Sequence, residues 1–398
     1  MNEPDATRPG RILPIIIASQ FAGTSLWFAG NAVLDDLQRQ WNLGSEAVGY
    51  VTSAVQLGFI AGTLAFAFFA VSDRYSPRKV FFLCSLAGAA ANAGVYLFAH
   101  GLQSLLALRF VTGFFLAGIY PVGMKIAAGW YRRDLGNAIG FLVGALVLGT
   151  AFPHLLKAAG AALPWEAITL TVSVTAAVGG LLMLLFVPDG PYSAKGARFD
   201  PRALALIFSS RLFRASAFGY FGHMWELYAF WAFVPLVLAA HAAQPAHAAL
   251  NVPLWAFCVI GAGALGCVCG GLVSLKLGSA RVAFAQLCMS GVCCLLSPFM
   301  FHAPTPVFLA FLLVWGVTVV GDSPQFSALN ARNAPQTLVG SALTIANCIG
   351  FAITIVSIQL LNHIRPIVGA DYLFVVLAIG PALGLAALMP LLKTERRA

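Results

Sequence analysis

The sequence predicts an all-α integral membrane protein whose twelve transmembrane helices form two pseudo-symmetric six-helix bundles. Three observations carry that prediction. Of 398 residues, 60% are hydrophobic and only 9% charged, with a mean hydropathy of +0.86, which is far from the composition of soluble domains. Apolar runs long enough to cross about 30 Å of hydrocarbon recur twelve times. A short stretch between the second and third runs is written again at the equivalent place in the second half.

The runs lie at roughly 12 to 33, 46 to 71, 80 to 99, 103 to 129, 136 to 157, 165 to 187, 212 to 240, 252 to 275, 282 to 302, 305 to 328, 337 to 361 and 370 to 392. The first follows Arg8 and Arg11 without a small-residue cleavage site, so it is read as a retained helix, and it carries Gln20, Thr24, Ser25 and Asn31. The fourth holds Arg109, Lys125 and Pro121; a long side chain near a span end can snorkel, but a charge deeper in the span marks a cavity or pathway. In the fifth, Gly140, Gly144 and Gly149 allow close helix approach. The seventh contains HMWELYAFW, with Glu226 near its midpoint as the sole formally charged residue from Gly219 to Leu236. The tenth ends in GDSPQFSALNAR, where Pro324 removes a backbone donor beside Asp322; Pro121 stands at nearly the matching place, so paired kinks are expected. An acid beside a helix break suits an ion or substrate site, and a gate in which Asp322 pairs with Lys125 is the alternative. The remaining spans rest on apolar length.

A net charge of +9 could suggest nucleic acid in a soluble protein, but the basic residues here sort by side. Arg109 and Lys125 lie within spans, Arg39, Lys157 and Arg365 in odd-numbered loops, and all the others at the termini or in even-numbered loops, which places both termini of a multi-pass membrane protein in the cytoplasm. The polar, Pro- and Gly-containing stretch from Val187 to Pro201 reads as a cytoplasmic linker, giving a first bundle over 1–187, a linker over 188–210 and a second bundle over 211–398. Trp41, Trp130, Trp165 and Trp255 near span ends suit the interface. The eight Cys fall inside spans without metal-ligand spacing and read as small apolar fillers. Six of seven His (His100, His154, His241, His247, His302, His363) map to the periplasmic side, where nothing in their spacing requires a metal or a pH sensor.

VSDRYSPRKVFF, from Val71, recurs 202 positions later as VSLKLGSARVAF, from Val273. Both copies join the second and third helices of a six-helix set, so the chain reads as a duplication with a site between the halves near mid-bilayer. FAVSDRYSPR resembles the loop signature GxLaDrxGrr of the major facilitator superfamily of secondary transporters: Asp73, Arg74 and Arg78 match, Phe69 and Ser76 replace glycines, and Leu275 replaces the acid in the second copy. The RxxxG at Arg109 to Gly113 is similar to that superfamily's fourth-helix motif, which the resemblance links to proton coupling. DSPQFSAL and VGSALTIANCIGFAITIVSIQLL are similar to bacterial permeases near the cyanate and nitrate/nitrite porters. The mid-span Arg pair that nitrate porters use in the second and eighth helices is missing, as is the basic residue of dicarboxylate antiporters in the eleventh. The drug-antiporter motif would want Pro at Ala145 and Gly at Leu148, so export loses support.

These readings converge on a secondary transporter of a small organic solute working by alternating access, proton-coupled, with uptake favoured over proton-driven efflux; a transport-inactive sensor stays open. Glu226, Arg109 and Asp322 are expected to face the cavity and couple protons, Trp27, Ser25, Trp225, Tyr228, Gln325 and Asn347 to touch solute, and Asp73, Arg74 and Arg78 to latch one conformation. Their aromatic character favours a planar or amphipathic solute over a small inorganic anion. Aligning SLWFAG with ELYAFW sets Ser25 opposite Glu226 and Trp27 opposite Tyr228. No cofactor, metal or enzymatic constellation is expected, and the partners are solute, protons and membrane lipids, with no nucleic acid and the chain as a monomer.

Overall fold

The computed structural model describes residues 9–131, 135–159, 163–192, 203–245 and 249–395, and among them every regular element is helical. The long elements are α1 (Ile12–Thr24), α2 (Ala47–Phe68), α3 (Pro77–Phe98), α4 (Leu102–Trp130), α5 (Leu135–Ala159), α6 (Trp165–Phe186), α7 (Arg211–Ala242), α8 (Val252–Leu277), α9 (Ser279–Phe301), α10 (Thr305–Asn333), α11 (Gln336–Tyr372) and α12 (Val375–Lys393). Eleven are long and apolar enough to cross a membrane, and α1 is shorter.

The first run is thus not one helix to residue 33. It stops at Thr24 and resumes as Ala29–Ala32 and Leu34–Trp41. Local chemistry explains the break: the Thr24 and Ser25 hydroxyls donate back to the Gln20 and Ala22 carbonyls, while the Leu26 and Trp27 carbonyls turn to the Arg109 guanidinium. Helices α4 and α10 also break where their prolines direct it, α4 after Leu116 and α10 at Asp322. Pro121 and Pro324 each sit in the first turn of the helix that follows, where their missing N–H leaves no gap. The eleventh helix runs past its expected end near 361 to Tyr372, bending at Gly369, whose φ of 77° suits glycine.

Packing repeats between the halves. In the first six helices α2 lies on α4, α3 on α4 and α6, and α1 on α5 and α6; in the second, α8 lies on α10, α9 on α10 and α12, and α7 on α11 and α12. The halves meet through α5 against α8 and α2 against α11, two contacts that the same two-fold exchanges. Even the close approaches are paired: Gly113 of α4 abuts the Val55 carbonyl, and Gly316 of α10 abuts that of Val259. From Tyr220 to Val234 every residue of α7 but Trp225 is buried, whereas Leu83, Leu265, Phe299 and Ile367 stand exposed on the outer helix faces, as lipid contact requires. With α1 and its continuation to Trp41 taken as one crossing beside the other eleven, residues 9, 188–192 and 395 fall on one side, termed the linker face.

Candidate functional site

Between the halves lies a cavity of about 820 Å³, a size typical of small-molecule sites. Its lining runs from Gln336 and Thr337, exposed at the linker face, to Tyr228 and Phe351, which are buried. Beyond that depth the passage is shut. Trp27 packs on Phe59, Tyr228 and Phe351 with ring centroids 4.9, 5.7 and 5.7 Å apart, and Trp231 packs on Phe28 and Tyr228 at 6.1 and 5.3 Å. At the far face α11 holds α2: Gln359 donates to the Ser53 hydroxyl at 2.8 Å, Asn362 to the Glu46 carbonyl at 3.0 Å and Arg365 to the Ser45 carbonyl at 3.4 Å.

Each half encloses a charge between its first, third and fourth helices. In the first, Arg109 of α4 is fully buried and donates to Asn92 of α3 at 2.9 Å and to the Leu26 and Trp27 carbonyls at 2.7 and 2.6 Å. In the second, Glu226 of α7 accepts from Ser290 of α9 at 2.5 Å, from Trp315 of α10 at 2.6 Å and from the Cys294 thiol at 3.4 Å. The cation sits among carbonyls and the anion among hydroxyl, indole and thiol donors, so neutral groups hold both, although the buried Arg109 Nε has no hydrogen-bond partner among the described residues. One turn before Glu226 on α7, His223 Nδ1 lies 2.8 Å from Asp322 Oδ1 at the α10 break, and both side chains are buried. The other His223 nitrogen and Asp322 Oδ2 have no hydrogen-bond partner among the described residues.

The duplicated packing, the two-fold contact between halves and the central cavity are matched by a family model: that of the Major Facilitator Superfamily covers residues 15–358. The chain belongs to this superfamily. Among curated relatives, a putative niacin/nicotinamide transporter of Bacillus subtilis is 27% identical over 169 residues, 40% of this chain and 39% of its own. A D-galactonate transporter of Escherichia coli is 26% identical over 153 residues, 37% of this chain and 35% of its own. The matches therefore span well under half the length of either relative. The crystal structure of the human organic anion transporter MFSD10 (TETRAN) superposes with a TM-score of 0.73 at 16% identity, covering 96% of this chain and all of that one, which is a likeness of fold.

On this superfamily scaffold several expected positions need correction. Glu226, Arg109 and Asp322 do not line the cavity; each points into its own half, because an unpaired charge on an apolar wall costs more than one held by fixed dipoles, and the residues flanking Asp322 that reach the cavity are Val320 and Ser323. Lys125 pairs with Asp73, not with Asp322, and also donates to the Ser72 carbonyl at 2.6 Å. Ser25 is spent on its own helix, Gln325 is buried beside Asp322, and Trp225 turns to α12, donating to the Val376 carbonyl at 3.4 Å. Trp27 lies behind the lining as its roof, whereas Tyr228 and Asn347 do line the cavity. Arg78 ties elements of the first half: it lies 3.9 Å from Asp189 after α6 and donates to the Leu184 carbonyl at 3.3 Å, and Arg74 is exposed. Of the histidines expected at the far face, His247 lies outside the described residues, and His241 is buried against the Phe301 carbonyl. Four contributors escape the sequence reading. His223 stands three residues before Glu226, Cys294 has no spacing that sets it apart from the other cysteines, and Tyr120 and Tyr220 carry no signal in runs already rich in aromatics.

Proposed function

We propose that this protein moves a small organic solute across the bacterial inner membrane by alternating access, coupled to protons and in the direction of uptake, with both termini and the cavity mouth at the cytoplasmic side. The observation that carries this reading is the cavity itself, open at one face and closed at the other by ring contacts and hydrogen bonds between the halves. Residues 1–187 and 211–398 act as the two moving bodies, joined by 188–210. The basic residues at the linker face support the orientation. The cargoes named for the relatives, a pyridine and a sugar acid, are both small organic solutes, and the aromatic lining suits the pyridine better.

For coupling, the second half offers a chain of titratable groups: Asp322 next to the cavity-lining Ser323, His223 at 2.8 Å from it, and Glu226 one turn further along α7. An ionisable chain of this kind inside a span is where proton coupling would act. Arg109 serves as the opposite fixed charge of the first half, and Asp73, Arg74 and Arg78 latch the loop after α2 in the alternate state. Reconstituted protein given radiolabelled nicotinamide, nicotinate or galactonate under an imposed pH gradient tests the scheme. Glu226→Gln is expected to lose gradient-driven accumulation while keeping solute-for-solute exchange. Full coupled accumulation by that variant removes Glu226 from the mechanism.

A further inference from the structure

We infer that the cavity selects an uncharged, planar solute bearing a carboxamide-like edge over its carboxylate or ammonium analogues. The inference deepens the transport reading and rests on the cavity being the solute path. Among the described lining residues the formal charges are Asp73 and Lys125, which pair with each other at the mouth, so neither is a free counter-charge. The remaining buried charges nearby are engaged elsewhere: Arg109 by Asn92 and two carbonyls, Glu226 by Ser290 and Trp315, and Asp322 by His223. An ion carried past Val143, Leu146, Leu227 and Phe351 would shed water and meet no opposite charge.

What the inner cavity does supply is a donor and an acceptor set side by side. The Tyr220 hydroxyl lies 3.2 Å from Asn347 Oδ1, and both residues line the cavity. With Tyr220 donating, the Asn347 amide offers N–H and the phenol oxygen accepts; with the amide turned over, the phenol accepts from it and the freed amide oxygen accepts from solute. The first arrangement complements a C=O beside an N–H, and the second keeps an acceptor for the N–H. Tyr120, Tyr228 and Phe351 add aromatic faces within the same lining, which favours a flat ring in offset or edge contact.

Benzamide, benzoate and benzylammonium share one ring and differ in the charge of its substituent, so calorimetric titration of the full chain in lipid nanodiscs separates the cases. Benzamide is expected to bind at least about tenfold more tightly than either ion, a difference of roughly 1.4 kcal/mol. Asn347→Leu should weaken benzamide binding severalfold without admitting either ion, and Asn347→Asp, which places a carboxylate in the cavity, should turn the preference toward benzylammonium. Equal or tighter binding of benzoate or benzylammonium to the unmodified chain overturns the inference, as does binding of none of the three. Flux of a charged solute in proteoliposomes without benzamide binding would leave transport standing and sink this inference. Benzamide binding with no flux of any solute would do the reverse.

Discussion

Arg109 shows how a residue at the right depth can still point away from the expected site. Hydropathy locates it within a span, but a helix that is apolar all round gives no period from which to choose a face. Its direction depends on a break in α1 that leaves the Leu26 and Trp27 carbonyls free for the guanidinium. Glu226 is the same case, since α7 is enclosed by neighbours on every side around it. By contrast, the pairing of Trp27 with Tyr228 was legible, because the two-fold that aligns SLWFAG with ELYAFW also brings those rings together at 5.7 Å. Arg109→Met keeps the bulk and removes the donors, stranding two carbonyls and the Asn92 amide oxygen. At about 1–3 kcal/mol per stranded buried group, the variant should melt well below the parent chain in detergent, by the equivalent of about 3 kcal/mol or more. An unchanged melting temperature would mean that those carbonyls have other donors.

Among the elements, the breaks in α4 and α10 were legible from Pro121 and Pro324, although Pro153, Pro235 and Pro298 lie inside continuous helices. The break in α1 was not legible: no proline or glycine marks residues 25–28, and the guanidinium that takes the freed Leu26 and Trp27 carbonyls sits on another helix. The overlong α11 escaped for a related reason: polar Asn362 and Arg365 read as a loop, yet they continue the helix because α2 takes their hydrogen bonds. The α10 break has a consequence for the cavity, because the turn after Asp322 carries Ser323 and Ser327 into its wall. Replacing Pro324 with Ala restores a backbone donor and lets α10 straighten. In a chain whose accessible cysteines Cys258, Cys269, Cys288 and Cys348 are replaced, Ser327→Cys should react with a water-soluble maleimide from the linker face. Adding Pro324→Ala should slow that reaction severalfold, and an equal rate would show that the break persists without the proline.

For the whole molecule, alternation demands that the closed face be strong enough to hold and weak enough to release. Three hydrogen bonds from α11 to α2 contribute about 0.5–1.5 kcal/mol each, and ring pairs such as Trp27 with Tyr228 about as much. The resulting few kcal/mol matches what differential binding can shift between two states. The two-fold makes the exchange plausible in physical terms, because α5 and α8 offer a second seam related by the same operation to that of α2 and α11. Joining Ser53→Cys to Gln359→Cys with a short bis-methanethiosulfonate reagent should fix the far face shut, since the parent side chains meet at 2.8 Å. The joined protein is expected to lose solute flux in proteoliposomes while the open cavity still binds solute, and reductant should restore the flux. Undiminished flux through the joined protein would show that the seam between α2 and α11 does not open during transport, leaving the two halves without the motion that the duplicated architecture implies.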